Sequence, residues 1–141
     1  MRYALIVAVL SLTIFEVAVI AGSSKSDQDA RIARGKYIVE GVGKCGDCHT
    51  PMTEKGEPLP GQTLKGAPLL FKPTVPMPAW ADKSTNIAGL PGWETAAAVK
   101  FLMTGIAYSG LPPRPPMPQY RLNKEDAEAV VAYLQSLAPT K

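Results

Sequence analysis

One histidine and two cysteines are all the imidazole and thiol in these 141 residues. A structural zinc site wants four ligands, so three Cys or His would need a carboxylate to complete it. A thioredoxin-like redox pair needs a βαβ setting. None is visible, because no stretch alternates apolar and polar residues long enough to read as strands. Internal repeats are also missing. Charge is modest: 15 Lys and Arg against 12 Asp and Glu leave a net +3. So small and scattered an excess argues against a nucleic-acid partner. It still allows a local basic face, with Lys44, Lys55 and Lys65 as candidates, to steer an acidic protein.

What the chain does contain is Cys45-Gly46-Asp47-Cys48-His49. Two cysteines three apart, with histidine directly after the second, read as a c-type haem attachment site. Each thiol adds across one vinyl group, so both bonds lie on one porphyrin edge. One helical turn spaces the two sulfurs suitably. The next residue then brings its imidazole to the iron, where histidine is a favoured axial ligand. Cys45 and Cys48 are therefore read as covalent haem c thioethers and His49 as an axial iron ligand.

Proline is abundant instead. Of 14 prolines, 13 lie between Pro51 and Pro118. Proline fixes φ and removes a donor, so this stretch cannot be mostly helix or sheet. A single small domain with so much loop gains a core from a covalently held apolar macrocycle.

The N-terminus opens with Met1-Arg2, an apolar run from Tyr3 to Gly22, and a polar linker over 23–28. This reads as a secretory signal, with acceptable cleavage sites at 19–21 and 21–23. The run also matches the roughly 20 residues of an uncleaved membrane anchor, although Glu16 would sit uncomfortably in lipid. Either way residues from about Ser23 onward lie on the far side of the membrane, which is where c-type attachment takes place. The expectation is an exported, periplasmic domain over 29–141, with membrane association through residues 1–22.

Within that domain Ile32, Gly35, Val39 and Val42 recur at helical steps, and Gly41 and Gly43 loosen the helix before the haem motif. Residues 51–91 are loop. Leu64, Leu69, Leu70 and Phe71 on it are expected to pack against the porphyrin. A carbonyl from this loop should hold the outer nitrogen of His49, with Pro58 and Pro68 as candidates. Pro91-Gly92-Trp93-Glu94 opens a second helix with Trp93, Ala97 and Phe101 on one face, stopped at Gly105. Trp80 and Trp93 each need an acceptor if buried, a haem propionate or a backbone carbonyl. Asn123 caps the last helix, with Asp126 at N3 and a buried stripe of Val130, Tyr133, Leu134 and Leu137.

The sixth ligand is open between methionines. Met117 lies in a proline-stiffened loop just before the last helix. A thioether is a weak ligand that favours reduced iron and raises the potential, and a stiff loop keeps such a bond closed. Met77 has the same Pro-Met-Pro setting. Met52 is too near His49 to reach the opposite face easily, and Met103 lies where methionine usually fills core. An open or lysine-bound iron is the remaining alternative.

CGDCHTP following RGKYIVEGVGK, then NIAGLPGWETAAAVKFLMTGI and RPPMPQYRLNKEDAEAVVAYLQSL, resembles a class I mono-haem cytochrome c. The similarity covers 29–137 and is closest to bacterial cytochrome c domains that accompany membrane dehydrogenases. The stretch from Trp80 to Asn86 departs from the family pattern. The resemblance implies an all-α fold, three main helices and proline-rich loops wrapped round one covalent haem c. It implies that the first and last helices cross at Gly35 and Tyr133, and that Met117 is the axial ligand opposite His49. The function it implies is electron transfer, Fe(II)/Fe(III) with His/Met ligation kept throughout, between exported or membrane redox partners such as a dehydrogenase, oxidase or reductase. An electron carrier of this kind is not an enzyme. A cytochrome c subunit of a membrane dehydrogenase complex is the alternative. An open-site haem sensor or enzyme would need a distal acid–base group, and there is no second histidine to serve.

Overall fold

A computed structural model describes residues 25–137. The expected export segment over 1–22 and the C-terminal tail over 138–141 lie outside the described residues. Helix α1 covers 25–37, so it takes in residues 25–28, which the sequence reads as linker. Lys25 and Gln28 are good helix formers, and Asp27 and Asp29 complement the positive end of the helix dipole. The chain then widens into a π-turn over Ile38–Val42, closed by the Gly43 N–H on the Ile38 carbonyl at 2.7 Å. Lys44, in the left-handed region at φ 48°, turns the backbone into the short helix α2, Cys45–His49.

Helix α4, Lys124–Ser136, starts where expected: the Asn123 side chain accepts from the Asp126 N–H at 2.8 Å. Its buried face is wider than the expected stripe, adding Ala127, Ala129 and Val131 to Val130, Tyr133 and Leu134, while Leu137 is only partly buried. Helices α1 and α4 cross at Gly35. A Cβ there would lie 1.9 Å from the Ala129 carbonyl oxygen and 2.8 Å from Tyr133 Cβ. The crossing thus depends on a missing side chain. It is fastened by Arg34 Nε to Asp126 at 2.8 Å and by the Tyr133 hydroxyl donating to Glu40 at 2.6 Å.

Helix α3, Thr95–Thr104, begins two residues after Trp93, with Glu94 as an extended N-cap. It ends at Gly105, whose φ of 65° is the left-handed stop that glycine tolerates. Ala98 is the helix's one buried residue and joins Val130, Val131 and Leu134 of α4 in the core. A small side chain permits the close approach, and Gln135 reaches across to the Thr95 hydroxyl at 2.8 Å. Trp93 and Phe101 keep each other company half-buried, ring centroids 5.4 Å apart.

Among the described residues there is no strand, only isolated bridges at Met52–Pro58 and Pro68–Lys83. The long loop is organised by Leu64, which is 1% exposed. Its N–H donates to the Thr50 hydroxyl at 3.0 Å, and its carbonyl accepts from Ile87 and Ala88 at 2.9 and 3.1 Å. Leu64 joins Val39, Leu90, Val130 and Val131 in one core. Burying such aliphatic side chains contributes about 1.5–3 kcal/mol each, enough to hold a loop that has almost no regular backbone pairing. No helix among the described residues is long and apolar enough to cross a membrane.

Candidate functional site

Helix α2 is a single turn, which puts Cys45 and Cys48 on one side of it. Both thiols are half-buried and free. Burial pushes the Cys45 thiol above its ordinary range, so it stays protonated rather than acting as a thiolate. Among the described residues no three His, Cys, Asp or Glu side chains converge as a cage for a metal ion. The two thiols and the imidazole therefore do not share one centre.

His49 is 8% exposed. Its Nδ1 lies 2.7 Å from the Thr85 carbonyl oxygen. A carbonyl only accepts, so Nδ1 carries the proton and Nε2 keeps its lone pair. Burial lowers the His49 pKa from 6.5, the Thr85 bond working the other way. The outcome is a neutral, oriented imidazole, the form in which histidine ligates iron.

The carbonyl is not that of Pro58 or Pro68. Pro58 pairs with Met52 and Pro68 with Lys83, whereas the oxygen at the ring nitrogen is that of Thr85. Thr85 instead belongs to the stretch from Trp80 to Asn86 that departs from the sequence pattern. A contact spanning 36 residues has no local signature, though the polar run Ser84-Thr85-Asn86 is one more suited to bonding than to packing. Its neighbour Ser84 donates to the Cys48 carbonyl at 2.6 Å and accepts from the Ala67 N–H at 2.9 Å. The Gly66 N–H donates to the His49 carbonyl at 2.7 Å. Residues 64–67 and 84–85 together strap the histidine turn from behind.

The apolar loop residues separate. Leu64 and Leu69 are buried, whereas Leu70 stands 90% exposed and Phe71 is 49% exposed, edge-on to Trp80 at 5.7 Å. The Leu69 N–H pairs with the Asp82 carbonyl at 2.9 Å, which ties this part of the loop to the segment before Ser84. Trp80 Nε1 is the one buried side-chain nitrogen or oxygen without a hydrogen-bond partner among the described residues. Buried donors are almost always satisfied, so a lone indole N–H suits a ligand that brings its own acceptor, such as a haem propionate. Two thiols one turn apart, a neutral oriented imidazole and this donor fit a covalent haem.

Met117 is half-buried, in a turn closed by its N–H on the Arg114 carbonyl at 3.2 Å. Met77 is 39% exposed, its carbonyl taken by the Trp80 N–H. Met103 borders a groove of about 870 Å³ with Ile32, Val99 and Val131, between α1, α3 and α4. Sequence reasoning did not single out Ser84, Thr85, Arg114 or Tyr120. The Tyr120 hydroxyl donates to the Gly43 carbonyl at 2.8 Å and lies beside Cys45. Burial, foremost, pushes its pKa up to about 12, so it remains a donor at any ordinary pH.

Comparison with known proteins agrees with this geometry. The family described as cytochrome c matches residues 32–138. The cytochrome c subunit of gluconate 2-dehydrogenase from Pantoea cypripedii is 30% identical over 138 residues, 88% of this chain and 30% of that protein. The cytochrome c subunit of quinone alcohol dehydrogenase from Gluconobacter oxydans (strain 621H) is 28% identical over 124 residues, 82% of this chain and 26% of that one. Its counterpart from Komagataeibacter europaeus is 30% identical over 121 residues, 79% and 25%. The chain spans between 25% and 30% of the length of these relatives.

Proposed function

The chain belongs to the cytochrome c family, and from that premise we propose that it carries single electrons between redox proteins through one haem c held by Cys45, Cys48, His49 and Met117. The observation that carries this reading is the 2.7 Å bond from His49 Nδ1 to the Thr85 carbonyl. It leaves Nε2 free, neutral and aimed, which a structural histidine would not need.

When bound, haem c supplies one-electron chemistry at an iron that is stable as ferrous and ferric. The protein's part is to hold it without rearrangement. Cys45 and Cys48 fix one porphyrin edge covalently. His49 would give the iron a nitrogen ligand, and Met117 a sulfur ligand. Trp80 Nε1, buried without a partner among the described residues, would be available to donate to a haem carboxylate. A thioether ligand raises the potential, and a chain that keeps both ligands in both states has little to reorganise. Redox partners would dock near Cys45 and Cys48, through small, transient contacts as redox encounters usually are. A chain with one histidine has no second imidazole for distal acid–base work, which favours a carrier over a catalyst.

The experiment is expression in a host competent in cytochrome maturation, followed by spectra and potentiometry of the wild type and Met117→Ala. The wild type is expected to show a sulfur-to-iron charge-transfer band in the ferric form. Met117→Ala should lose that band and fall in midpoint potential. A retained band would move the assignment to Met77, and ready carbon monoxide binding by the wild type would favour an open site.

The relatives are named as cytochrome c subunits of dehydrogenases, which supports a second reading, a subunit docked to a membrane dehydrogenase. Co-purification with a dehydrogenase from membranes after a high-salt wash distinguishes it from a free carrier. In both versions the domain over 29–141 is exported to the periplasm, residues 1–22 acting as signal or anchor.

A further inference from the structure

The segment 109–118 that carries Met117 belongs to no helix or strand. Three long-range hydrogen bonds at Arg114 and Pro115, and a fourth from the flanking Tyr120, tie it to distant parts of the chain. Upstream of the methionine, Arg114 uses its guanidinium as a fork, Nε to the Ala79 carbonyl at 3.0 Å and the terminal nitrogen to the Trp80 carbonyl at 2.5 Å. The Ala81 N–H adds a bond to the Pro115 carbonyl at 2.7 Å. Downstream, the Tyr120 hydroxyl donates to the Gly43 carbonyl at 2.8 Å, two residues before Cys45.

We infer that Arg114 and Tyr120 are positioning residues which brace the methionine loop from both sides and so keep the Met117 sulfur on the iron; this rests on Met117 being the sixth ligand. The two braces end on different parts of the site. Arg114 anchors the loop to the segment whose Trp80 carries the unpartnered indole N–H. Tyr120 anchors it to the turn that leads into the attachment helix. A five-donor guanidinium is suited to spanning two successive carbonyls, which lysine cannot do. A phenylalanine at 120 would keep the ring and lose only the bond.

The consequence is thermodynamic. A thioether is a weak ligand, so an exogenous base such as imidazole competes for the iron whenever the loop swings away. Its apparent affinity scales with the fraction of molecules in which the loop is open. Each brace holds the loop closed in proportion to the net strength of its hydrogen bonds.

The test titrates imidazole into ferric holoprotein and follows loss of the sulfur-to-iron band. Tyr120→Phe and Arg114→Gln are each expected to bind imidazole about 3- to 10-fold more tightly than wild type. The double variant should approach the product of the two, since the braces share no partner. Arg114→Lys, which keeps the charge and loses the fork, should fall between wild type and Arg114→Gln. Arg34→Gln, which loosens the α1–α4 crossing, is the control for general destabilisation and should leave imidazole affinity unchanged. Wild-type affinity in both Tyr120→Phe and Arg114→Gln, with the band lost in Met117→Ala, would overturn the bracing role while leaving the ligand assignment intact. A band retained in Met117→Ala would instead remove the premise. If Tyr120→Phe fails to mature, Arg114→Gln, an exposed position, decides the matter alone.

Discussion

His49 and Thr85, 36 residues apart, meet through a single hydrogen bond of 2.7 Å that sets which imidazole nitrogen is free. The bond is supported from behind by Gly66. That glycine donates to the His49 carbonyl, has φ of +86°, and would place a Cβ 2.9 Å from Ser84 O, Thr85 C and Asn86 N. Gly66→Ala therefore has to push the Thr85 segment away from the ring. Losing the carbonyl acceptor makes the imidazole a poorer donor to iron. The midpoint potential should rise, and stability should fall by about 2 kcal/mol from left-handed strain and overpacking. Potentiometry of the variant checks the first expectation and denaturant unfolding the second. A lost stability with an unmoved potential would dissociate Thr85 from the tuning of the iron.

Ser84 ties the other half of that strap. Its hydroxyl serves the Cys48 carbonyl and the Ala67 N–H together. Ser84→Ala leaves both groups unpaired in a part-buried place, which costs about 1–3 kcal/mol. Urea unfolding of the holoprotein should move to lower denaturant with the slope unchanged.

Gly35→Ala tests the helix crossing. The new methyl would meet the Ala129 carbonyl at 1.9 Å, a backbone atom that cannot rotate aside. The expected loss is about 1–3 kcal/mol or more, against the small gain alanine would bring to an isolated helix. A variant as stable as wild type would mean that α1 and α4 do not pack at this distance.

The Arg34–Asp126 pair predicts an acid limb. The hydrogen bond from Arg34, first, and its charge hold the Asp126 carboxyl below its ordinary 3.8, with Asn123 assisting and desolvation opposing. A lowered folded pKa means the pair contributes fully above 3.8 and loses its contribution as pH falls through the lowered value. Denaturant midpoints measured from about pH 5 down to about pH 2 should therefore fall more steeply in wild type than in Asp126→Asn. Added salt should shrink the difference, because both side chains meet water.

Several features were readable from short-range pattern because their physics is short-range. The Asn123 cap and the Gly105 stop are satisfied within one helical turn of themselves. The attachment motif places three reactive groups within five residues. Gly35 was conspicuous as the costly residue in a helix, and the structure supplies its reason, the Ala129 carbonyl. Orientation is not readable in the same way. Ala98 is the residue of α3 buried in the core, and the angle at which α3 meets α4 is not written in α3. Leu64 and Leu69 are buried while Leu70 is exposed, and a loop without periodicity does not say which neighbour points in.

Residue chemistry and local spacing by themselves determined that this chain offers a covalent haem edge and one imidazole, on a mostly helical scaffold interrupted by proline. They did so because bond formation to a vinyl pair and helix capping need only residues within a turn or two of each other. The tertiary structure alone decided which carbonyl orients His49, which indole N–H is left unpaired, and which side chains hold the methionine loop. Those choices join segments tens of residues apart, and only the folded chain brings their donors and acceptors within bonding distance.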